Sequence, residues 1–483
     1  MKSRHGSGLL LRVATVLAAL GLAGCATSPL DPPLHRAQQA ARPQVSGSGP
    51  IVQWQRTAEE RSQARARVEQ LLAQPLTSAA AVELALLNNA GLQIQLAEVG
   101  ITQADVLQAG RLPNPGFTFG RSAEGDKRAI ERGLHINLAR ILVLPLVREL
   151  EQRRLDQAER TVALQVMALI TQVRRAHVDA VAARERSRYM ADVLKAAQAS
   201  AELARRMAQV GNFNKLQHAR EQGFQADAVQ GHARALREEM AARERLIRAL
   251  GLWGSDLQSL RLPDRLPDLP AALPDRPGIE AEAMARRLDV QAARLQTEQT
   301  ARQLGLTKTT RFINVLELGG HYNSSNEGHG HGGWEVSLML PLFDWSSARV
   351  ARAEAVYQQA LSRTAQTAVN ARSEVREAYG HWRATHDMAR HQRDEVVPLK
   401  KRISDENLLR YNGMLIGVFE LLADARAQIT GVSQYLDALR DFWVADAELE
   451  MAMLGPVSWV SSASGVAGAR TPAAAATPAP HPH

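Results

Sequence analysis

Most of the chain carries apolar residues three and four positions apart, which is the spacing of an amphipathic helix. The pattern runs through residues 57–110, 148–250, 279–306 and 346–454. Interruptions are expected at Pro75, after Val210 and at residues 412–417. The sequence therefore predicts a mostly α-helical protein with several very long helices.

Two short stretches instead alternate apolar and polar residues, as a β-strand with one buried face does. In the first, strands at residues 117–120 and 134–138 flank a polar loop at 121–133, and Leu144-Pro145-Leu146 ends the hairpin. In the second, strands at residues 312–318 and 334–340 flank a polar, Gly-rich loop at 321–333. We therefore predict two β-hairpins, with four strands in all, between the helices.

The hairpins belong to a pattern that occurs twice. Leu144-Pro145-Leu146 recurs as Leu340-Pro341-Leu342 at an offset of 196 residues. The break Gly211-x-Phe213-x-x-Leu216 recurs as Gly417-x-Phe419-x-x-Leu422 at an offset of 206. We predict an internal two-fold repeat of helix, hairpin, helix and helix, in units longer than the roughly 20–50 residues of solenoid repeats.

The N-terminus has the pattern of a secretory signal. Basic residues precede an apolar run at residues 13–22, which is too short to span a bilayer as a helix. Leu22-Ala23-Gly24-Cys25 then matches a bacterial lipobox, and Cys25 is the single cysteine of the chain. We predict that acyl chains on Cys25 anchor the protein in the outer membrane. An ordinary cleaved signal with an incidental cysteine is the alternative.

These patterns divide the chain into six predicted segments. They are a signal peptide (1–24), a lipidated tether (25–56), the first repeat (57–251), a Pro-rich linker (252–278), the second repeat (279–455) and a disordered Ala/Pro tail (456–483).

Composition and motifs narrow the function. The chain has 58 Lys and Arg against 50 Asp and Glu, but these charges are mixed along the helices, as on solvated helix faces. No basic block or motif supports binding to nucleic acid. No P-loop, G-x-S-x-G or H-E-x-x-H motif is present, so we predict neither an enzyme nor a cofactor. Energy for any transport would have to come from a partner.

The four predicted strands set a condition on assembly. Each has about ten residues or slightly fewer, which is enough to cross a bilayer when tilted. Open sheet edges cannot face lipid, because each unpaired backbone group costs several kcal/mol there. Four strands also cannot close a barrel, for which about eight are needed. Strands in a membrane would therefore require subunits to share a barrel, of about eight strands in a dimer or about twelve, with an open pore, in a trimer.

Two segments carry a family resemblance. Leu340-Pro341-Leu342-Phe343-Asp344, with the helix that follows at 348–355, is similar to the strand exit of TolC-type outer-membrane factors. Arg410-Tyr411-Asn412-Gly413, with residues 419–426, resembles their periplasmic tip. The resemblance covers about residues 57–455. It implies a homotrimer with a shared transmembrane β-barrel, a long α-helical barrel through the periplasm, and docking to a periplasmic adaptor protein and, through it, to an inner-membrane pump.

The resemblance also implies functional positions at the tips. Acidic residues ring the narrow end of the tunnel in family members, and the matching positions here are Glu420 and Asp424, which share one helix face. Ala423 stands where many relatives carry the second acid, which favours an Asp424 turned away from the lumen. Glycine would permit the tight reversals that face the adaptor. The expected contact residues are Gly211, Phe213 and Leu216 in the first tip, and Gly413, Gly417, Phe419 and Leu422 in the second. Solvated surface acids and ordinary turns are the alternatives.

Histidines in the second hairpin loop are weak metal candidates. His321, His329 and His331 lie among Gly and Asn residues, and imidazoles on a flexible loop bind Zn(II) or Cu(II). No acid–histidine spacing fixes a geometry, so we predict a surface loop without a metal site. Heavy-metal ions nevertheless stay open as an exported substrate class.

The sequence favours a passive outer-membrane channel of a tripartite efflux system, opened when an adaptor docks. Two other classes remain. A periplasmic adaptor would need a lipoyl-like β-domain flanking one coiled-coil hairpin, whereas this chain has two hairpin-bearing halves. A structural coiled-coil lipoprotein would not need two amphipathic hairpins.

Overall fold

The computed structural model describes residues 34–42, 52–124, 126–310, 316–325, 331–338 and 347–457. The predicted signal peptide, Cys25, His329 and nearly all of the predicted tail lie outside these residues. Among the helices of the described ranges, none is long and apolar enough to cross a membrane.

Thirteen helical elements and four strands follow one another in the described residues. The helices before the first hairpin are α1 (His35–Ala41), α2 (Ala58–Leu72), α3 (Ser78–Asn88) and α4 (Ala90–Ala109). Strands β1 (Gly116–Glu124) and β2 (Lys127–Asn137) lead to α5 (Leu138–Gln209), α6 (Lys215–Leu250), α7 (Asp256–Ser259), α8 (Ile279–Arg286) and α9 (Leu288–Thr310). Strands β3 (Leu316–Ser325) and β4 (His331–Leu338) precede α10 (Ser347–His391), a π-helical segment (Gln392–Val396), α11 (Val397–Asn412) and α12 (Val418–Ala452). The prediction of a mostly helical protein with a small β part is confirmed.

The longest helix, α5, has 72 residues, and at about 1.5 Å per residue it is roughly 110 Å long. It begins directly after β2, because the Asn137 side chain accepts a hydrogen bond from the backbone N–H of Arg140 at 2.8 Å. We predicted that Leu144-Pro145-Leu146 ends the hairpin, and that prediction is wrong, since Pro145 lies inside α5. Proline has no backbone N–H, so the helix continues through this position with one backbone hydrogen bond missing.

The region before the first hairpin is more divided than the sequence pattern indicated. Asn89 separates α3 from α4, and its side chain caps α4 by accepting from the backbone N–H of Leu92 at 3.1 Å. An asparagine within an apolar helical pattern gave no clear sign of this break. Helix α1 lies within the segment predicted to be an extended tether, and Ala37 and Ala41 are fully buried. Arg36 of α1 pairs with the buried Glu159 of α5 at 3.0 Å, so this part of the tether is docked onto the helices.

The four strands form one antiparallel sheet in the order β1-β2-β3-β4. Both predicted hairpin loops were too long. Residues 121–124 and 127–133 continue the first ladder to the pair Glu124–Lys127, and β3 and β4 extend to Ser325 and from His331. Polar residues continue these strands because a β-ladder needs only backbone hydrogen bonds, while apolar side chains are required only where a face is covered.

The Pro-rich segment at 252–278 is packed against the long helices. Leu260, Leu262, Leu266 and Leu269 are buried. Its backbone carbonyls accept hydrogen bonds from helix side chains, including Trp443 Nε1 to Pro267 O at 3.1 Å. The segment therefore forms a belt around the helices, which we call the equatorial belt (residues 252–278).

Helix α10 passes into α11 through the π-helical segment at the level of the equatorial belt. Arg393 in this segment donates to the carbonyl oxygen of Leu269 at 3.1 Å. No residue of α11 is buried, in contrast with α10, which buries residues including Val375 and Trp382. The helix before the π-helical segment therefore buries side chains against its neighbours, whereas the helix after it does not.

One buried histidine makes the stability of this region depend on pH. His177 of α5 is 5% exposed, and its Nε2 atom lies 2.7 Å from the carbonyl oxygen of Leu76. Burial lowers the pKa of the imidazole below its usual 6.5. The unfolded chain then binds a proton that the folded chain does not, so the free energy of unfolding should fall as pH drops below about 6.5.

We expect a His177→Gln variant to lose this contribution to the pH dependence, because glutamine can donate to Leu76 without titrating. Thermal unfolding of both proteins between about pH 7 and about pH 5 measures the difference. An unchanged slope in His177→Gln would show that other groups set it.

Candidate functional site

The sheet has two chemically different faces. The register places Phe117, Leu134, Gly320 and Trp334 in one row across the four strands. Seven large apolar residues on this face are 38% to 77% exposed in the single subunit, and they are Phe117, Phe119, Leu134, Leu318, Tyr322, Trp334 and Val336. We call this the apolar face. A contiguous apolar surface of this kind marks contact with another apolar phase or protein.

The opposite face is polar and rich in glycine. One row across the strands is Gly116, His135, Gly319 and Glu335, and the next is Thr118, Gly133, His321 and Gly333. The glycines leave space for their neighbours, since a Cβ on Gly116 would lie 2.1 Å from Nε2 of His135. We call this the polar face. The sheet thus has the alternation expected of strands between an apolar and an aqueous phase.

The first helix reversal lies between α5 and α6. Gly211 has φ +79°, the left-handed conformation that glycine adopts without strain. Phe213 is buried against Ala204, and Asn214 caps α6 in a capping box with Gln217. Leu216 is 60% exposed at the start of α6. The predicted helix–turn–helix is present here, with Phe213 packed inward and Leu216 facing out.

The second reversal, between α11 and α12, uses a different backbone. Gly413 and Gly417 have φ −79° and −82°, so neither of the two predicted turn glycines is left-handed. Met414 takes that conformation instead, with φ +60°, and its side chain is 94% exposed. A left-handed residue other than glycine costs about 1–2 kcal/mol, so strain is stored at the outermost point of this turn.

The two reversals should respond differently to alanine. Gly211→Ala is expected to lower the free energy of unfolding by about 1–2 kcal/mol, because alanine resists the left-handed conformation. Within the described part of the chain, no atom beyond Gly211 and its two chain neighbours lies within 4 Å of the added Cβ, so the backbone alone causes the loss. Gly413→Ala should be nearly neutral, because its φ is ordinary and its Cβ would meet only van der Waals contacts at 3.5 Å or more. Denaturant unfolding followed by far-UV circular dichroism compares the two variants, and equal losses would contradict this account.

Side chains join the two reversals. Leu422 of α12 packs against the Ala204–Phe213 pair of the first reversal. Further from the two reversals, the fully buried Glu221 of α6 accepts hydrogen bonds from Ser200 of α5 at 2.6 Å and from Arg426 of α12. The sequence pointed to Phe213 and Leu422 but not to their contact, and it gave no sign of the Glu221–Arg426 pair.

The two predicted aperture acids have different surroundings. Glu420 is exposed in the first turn of α12. Asp424 is partly buried and accepts a hydrogen bond from the Asn407 side chain of α11. The Asp424 carboxylate is therefore hydrogen-bonded within the hairpin formed by α11 and α12. A role in an acidic ring remains a prediction for both residues, and it is better supported for Glu420.

Two of the histidines predicted to lie in a loop, His321 and His331, lie in strands. His321 is in the middle of β3 and His331 begins β4, both on the polar face. Within the described ranges, no group of three or more His, Cys, Asp or Glu side chains converges as a metal site. The loop prediction failed because the alternation of these strands is carried by glycine and polar residues.

Residues 281–403 match the family model described as outer membrane efflux protein. No relative among curated proteins matches the chain. Among solved structures, the outer membrane protein VceC from Vibrio cholerae has a TM-score of 0.65 at 16% identity, over 82% of this chain and 98% of that chain.

Two further solved structures are outer-membrane channels. The open state of MtrE from Neisseria gonorrhoeae has a TM-score of 0.64 at 19% identity, over 78% of this chain and 88% of that one. CmeC from Campylobacter jejuni has a TM-score of 0.63 at 13% identity, over 85% and 90%. The chain therefore has the fold of these outer-membrane proteins and matches the outer membrane efflux protein family model at residues 281–403, which confirms the resemblance to TolC-type outer-membrane factors.

Proposed function

We propose that this chain is the outer-membrane channel of a tripartite efflux system and conducts its substrates passively. The observation that carries the proposal is the two-faced sheet with open edges. Its apolar face is exposed in the single subunit, and β1 and β4 each leave one edge unpaired within the described chain. Such edges are costly in lipid, so the sheet must pair with sheets of other subunits.

A ring of identical subunits satisfies those edges. Neighbouring strands run in opposite directions, so β4 of one subunit meets β1 of the next in antiparallel orientation. Three subunits would give twelve strands, enough for a water-filled lumen lined by the polar face, whereas two would give a barrel filled by side chains. We therefore favour a trimer over a dimer. The predicted internal two-fold repeat would supply one hairpin from each half.

The helices would continue the lumen into the periplasm. Helix α5 is roughly 110 Å long, and α5, α6, α10 and α12 pack side by side, as walls of a tunnel would. The helix reversals at residues 210–214 and 413–417 would form the periplasmic end and meet an adaptor, which in turn couples the channel to an inner-membrane pump. Lipidation at Cys25 would hold the N-terminal tether in the same membrane. The protein is not proposed to be an enzyme.

Reconstitution tests the proposal. The purified full-length protein is examined by native mass spectrometry in detergent and then added to planar bilayers. We expect trimers and stepwise increases in ionic conductance without any energy source. A water-soluble monomer without conductance would overturn the proposal and favour a structural coiled-coil lipoprotein or an adaptor.

A further inference from the structure

Helix α6 carries an uncovered line of apolar residues along one side. Its members are alternately three and four positions apart, which is the spacing at which the side chains of one helix interlock with those of another. Six of the seven members are apolar and all seven are exposed, and they are Ala219, Gln222, Ala226, Val229, Ala233, Leu236 and Met240. We call these seven residues the α6 stripe. At about 1.5 Å per residue it is roughly 32 Å long.

The α6 stripe is separate from the side of the helix that packs against α5. That side buries Ala228 against Ala197 of α5. The largest aliphatic members of the stripe, by contrast, are 44% to 65% exposed, and they are Val229, Leu236 and Met240. A helix that is apolar on two sides is expected to be covered on both. The stripe therefore requires a partner that the described part of one subunit does not provide.

Helix α11 is also uncovered. It packs along α12, yet none of its residues is buried. Five large apolar side chains on this 16-residue helix are 37% to 66% exposed, and they are Leu399, Ile403, Leu408, Leu409 and Tyr411. The side of α11 that faces away from α12 is therefore a second apolar surface.

The two uncovered helices lie at opposite ends of one helical layer. Between the equatorial belt and the two reversals, α6 packs against α5, α5 against α12, and α12 against α11. Helices α6 and α11 are thus the outer members of the layer, as β1 and β4 are the edge strands of the sheet. A ring closed through the sheet edges would bring α6 of one subunit beside α11 of the next.

We propose that the α6 stripe packs against α11 of a second copy of this chain. The proposal rests on the ring of subunits in the proposed function, and it names the helices that seal that ring between the equatorial belt and the reversals. The stripe has no charged member, so it suits an apolar helix surface. Alanine at residues 219, 226 and 233, every seventh position, leaves room for the larger side chains of α11.

The two helices match in direction and in position. Helix α6 runs from the first reversal toward the equatorial belt and α11 runs from the belt to the second reversal, so they would pack antiparallel. Val229 lies 14 residues after Lys215, the first residue of α6, and Leu399 lies 13 residues before Asn412, the last residue of α11. Both are therefore about 20 Å from their reversals, which places Val229 opposite Leu399.

Cysteine cross-linking of the full-length protein in detergent tests this contact. Under mild oxidation, Val229→Cys/Leu399→Cys is expected to give covalent dimers and trimers on denaturing gels, whereas each single variant should give none. The single variants retain Cys25 and so account for any reaction of that residue. Val229→Cys/Val369→Cys is the matched control and should not cross-link, because Val369 is an exposed valine of α10, 30 residues before Leu399. Trimers without cross-links in Val229→Cys/Leu399→Cys would overturn the proposal.

A charged substitution separates the stripe from the rest of α6. Added to the Val229→Cys/Leu399→Cys protein, Leu236→Glu should lower the cross-linking yield at least fivefold, because the carboxylate would lose water in an apolar contact. Arg234→Glu places the same side chain on α6 outside the stripe, where Arg234 bonds only along its own helix to Gln230 among the described residues, and the yield should not change. Far-UV circular dichroism checks that both variants fold. Equal yields would contradict the proposed contact.

Labelling with a water-soluble maleimide distinguishes the possible occupants of the stripe. In the purified protein, with no other protein present, Leu236→Cys should react at least tenfold more slowly than Arg234→Cys. Equal rates would show a stripe left open for a different protein, such as an adaptor, and would overturn the proposal. Slow labelling without the Val229→Cys/Leu399→Cys cross-link would assign the stripe to another segment of this chain, which also overturns it.

Conductance measurements keep this proposal distinguishable from the proposed function. A conducting protein that cross-links through the stripe supports both. A conducting trimer without the cross-link defeats the helix contact alone. A protein that cross-links into trimers through the stripe but never conducts defeats the channel proposal alone.

Discussion

Replacing Arg287 with leucine is expected to lower the free energy of unfolding by about 3–5 kcal/mol, the usual cost of removing one partner from a buried ion pair. Arg287 is 1% exposed. Its guanidinium bonds to Asp289 at 2.7 Å, to Glu374 of α10 at 2.8 Å and to the carbonyl oxygen of Ala452 in α12 at 3.2 Å. Leucine would leave the partly buried carboxylates of Asp289 and Glu374 and the buried carbonyl oxygen of Ala452 without this donor, and it would loosen the contact between three helices.

The neighbouring residue provides the control. Arg286 is exposed, and among the described residues its side chain pairs only with Glu282, one helical turn away. An Arg286→Leu variant should change stability by about 0.5 kcal/mol or less, because exposed ion pairs contribute little. Denaturant unfolding of the detergent-solubilised protein, followed by circular dichroism, measures both variants. Similar losses in the free energy of unfolding of the two variants would mean that Arg287 does not hold the helices together.

The second large effect concerns Leu134→Arg on the apolar face. If this face meets lipid, an arginine there costs about 2–4 kcal/mol per subunit near the bilayer midplane, and the three copies in a trimer add up. We expect the variant to be strongly impaired in membrane insertion and in conductance. The measurement is the fraction of protein recovered in outer-membrane preparations, together with single-channel recordings.

The adjacent residue on the polar face is the matched comparison. His135→Arg places the same side chain on the same strand but on the face proposed to line the lumen. It should insert normally and change only the conductance or ion selectivity of the pore. Equal insertion of the Leu134→Arg and His135→Arg proteins would show that the apolar face is covered by something other than lipid.

Long-period patterns in the sequence predicted the fold well. The helical spacing, the two hairpins and the break containing Gly211 all correspond to elements of the structure. The predicted ends of these elements were less accurate. The hairpin strands continue into polar residues, and Pro145 lies inside a helix, because backbone hydrogen bonding extends an element beyond the residues that signal it.

The candidate site was predictable only where local conformation decides it. Gly211 was correctly associated with a turn, but at the second tip Met414 replaced glycine as the left-handed residue. The Glu221–Arg426 pair and the surroundings of Arg287 depend on helices that meet far apart in the sequence. No local pattern encodes such contacts, so they required the tertiary structure.

The π turn at residues 392–396 sets the rotational phase of the helix below it. A π turn holds about one residue more than an α turn, and one residue corresponds to about 100° around a helix axis. The face of α10 that packs against neighbouring helices is therefore rotated about the helix axis relative to the face that continues it in α11. A single inserted position thus determines which side of the last sixteen residues before the Met414 turn faces α12.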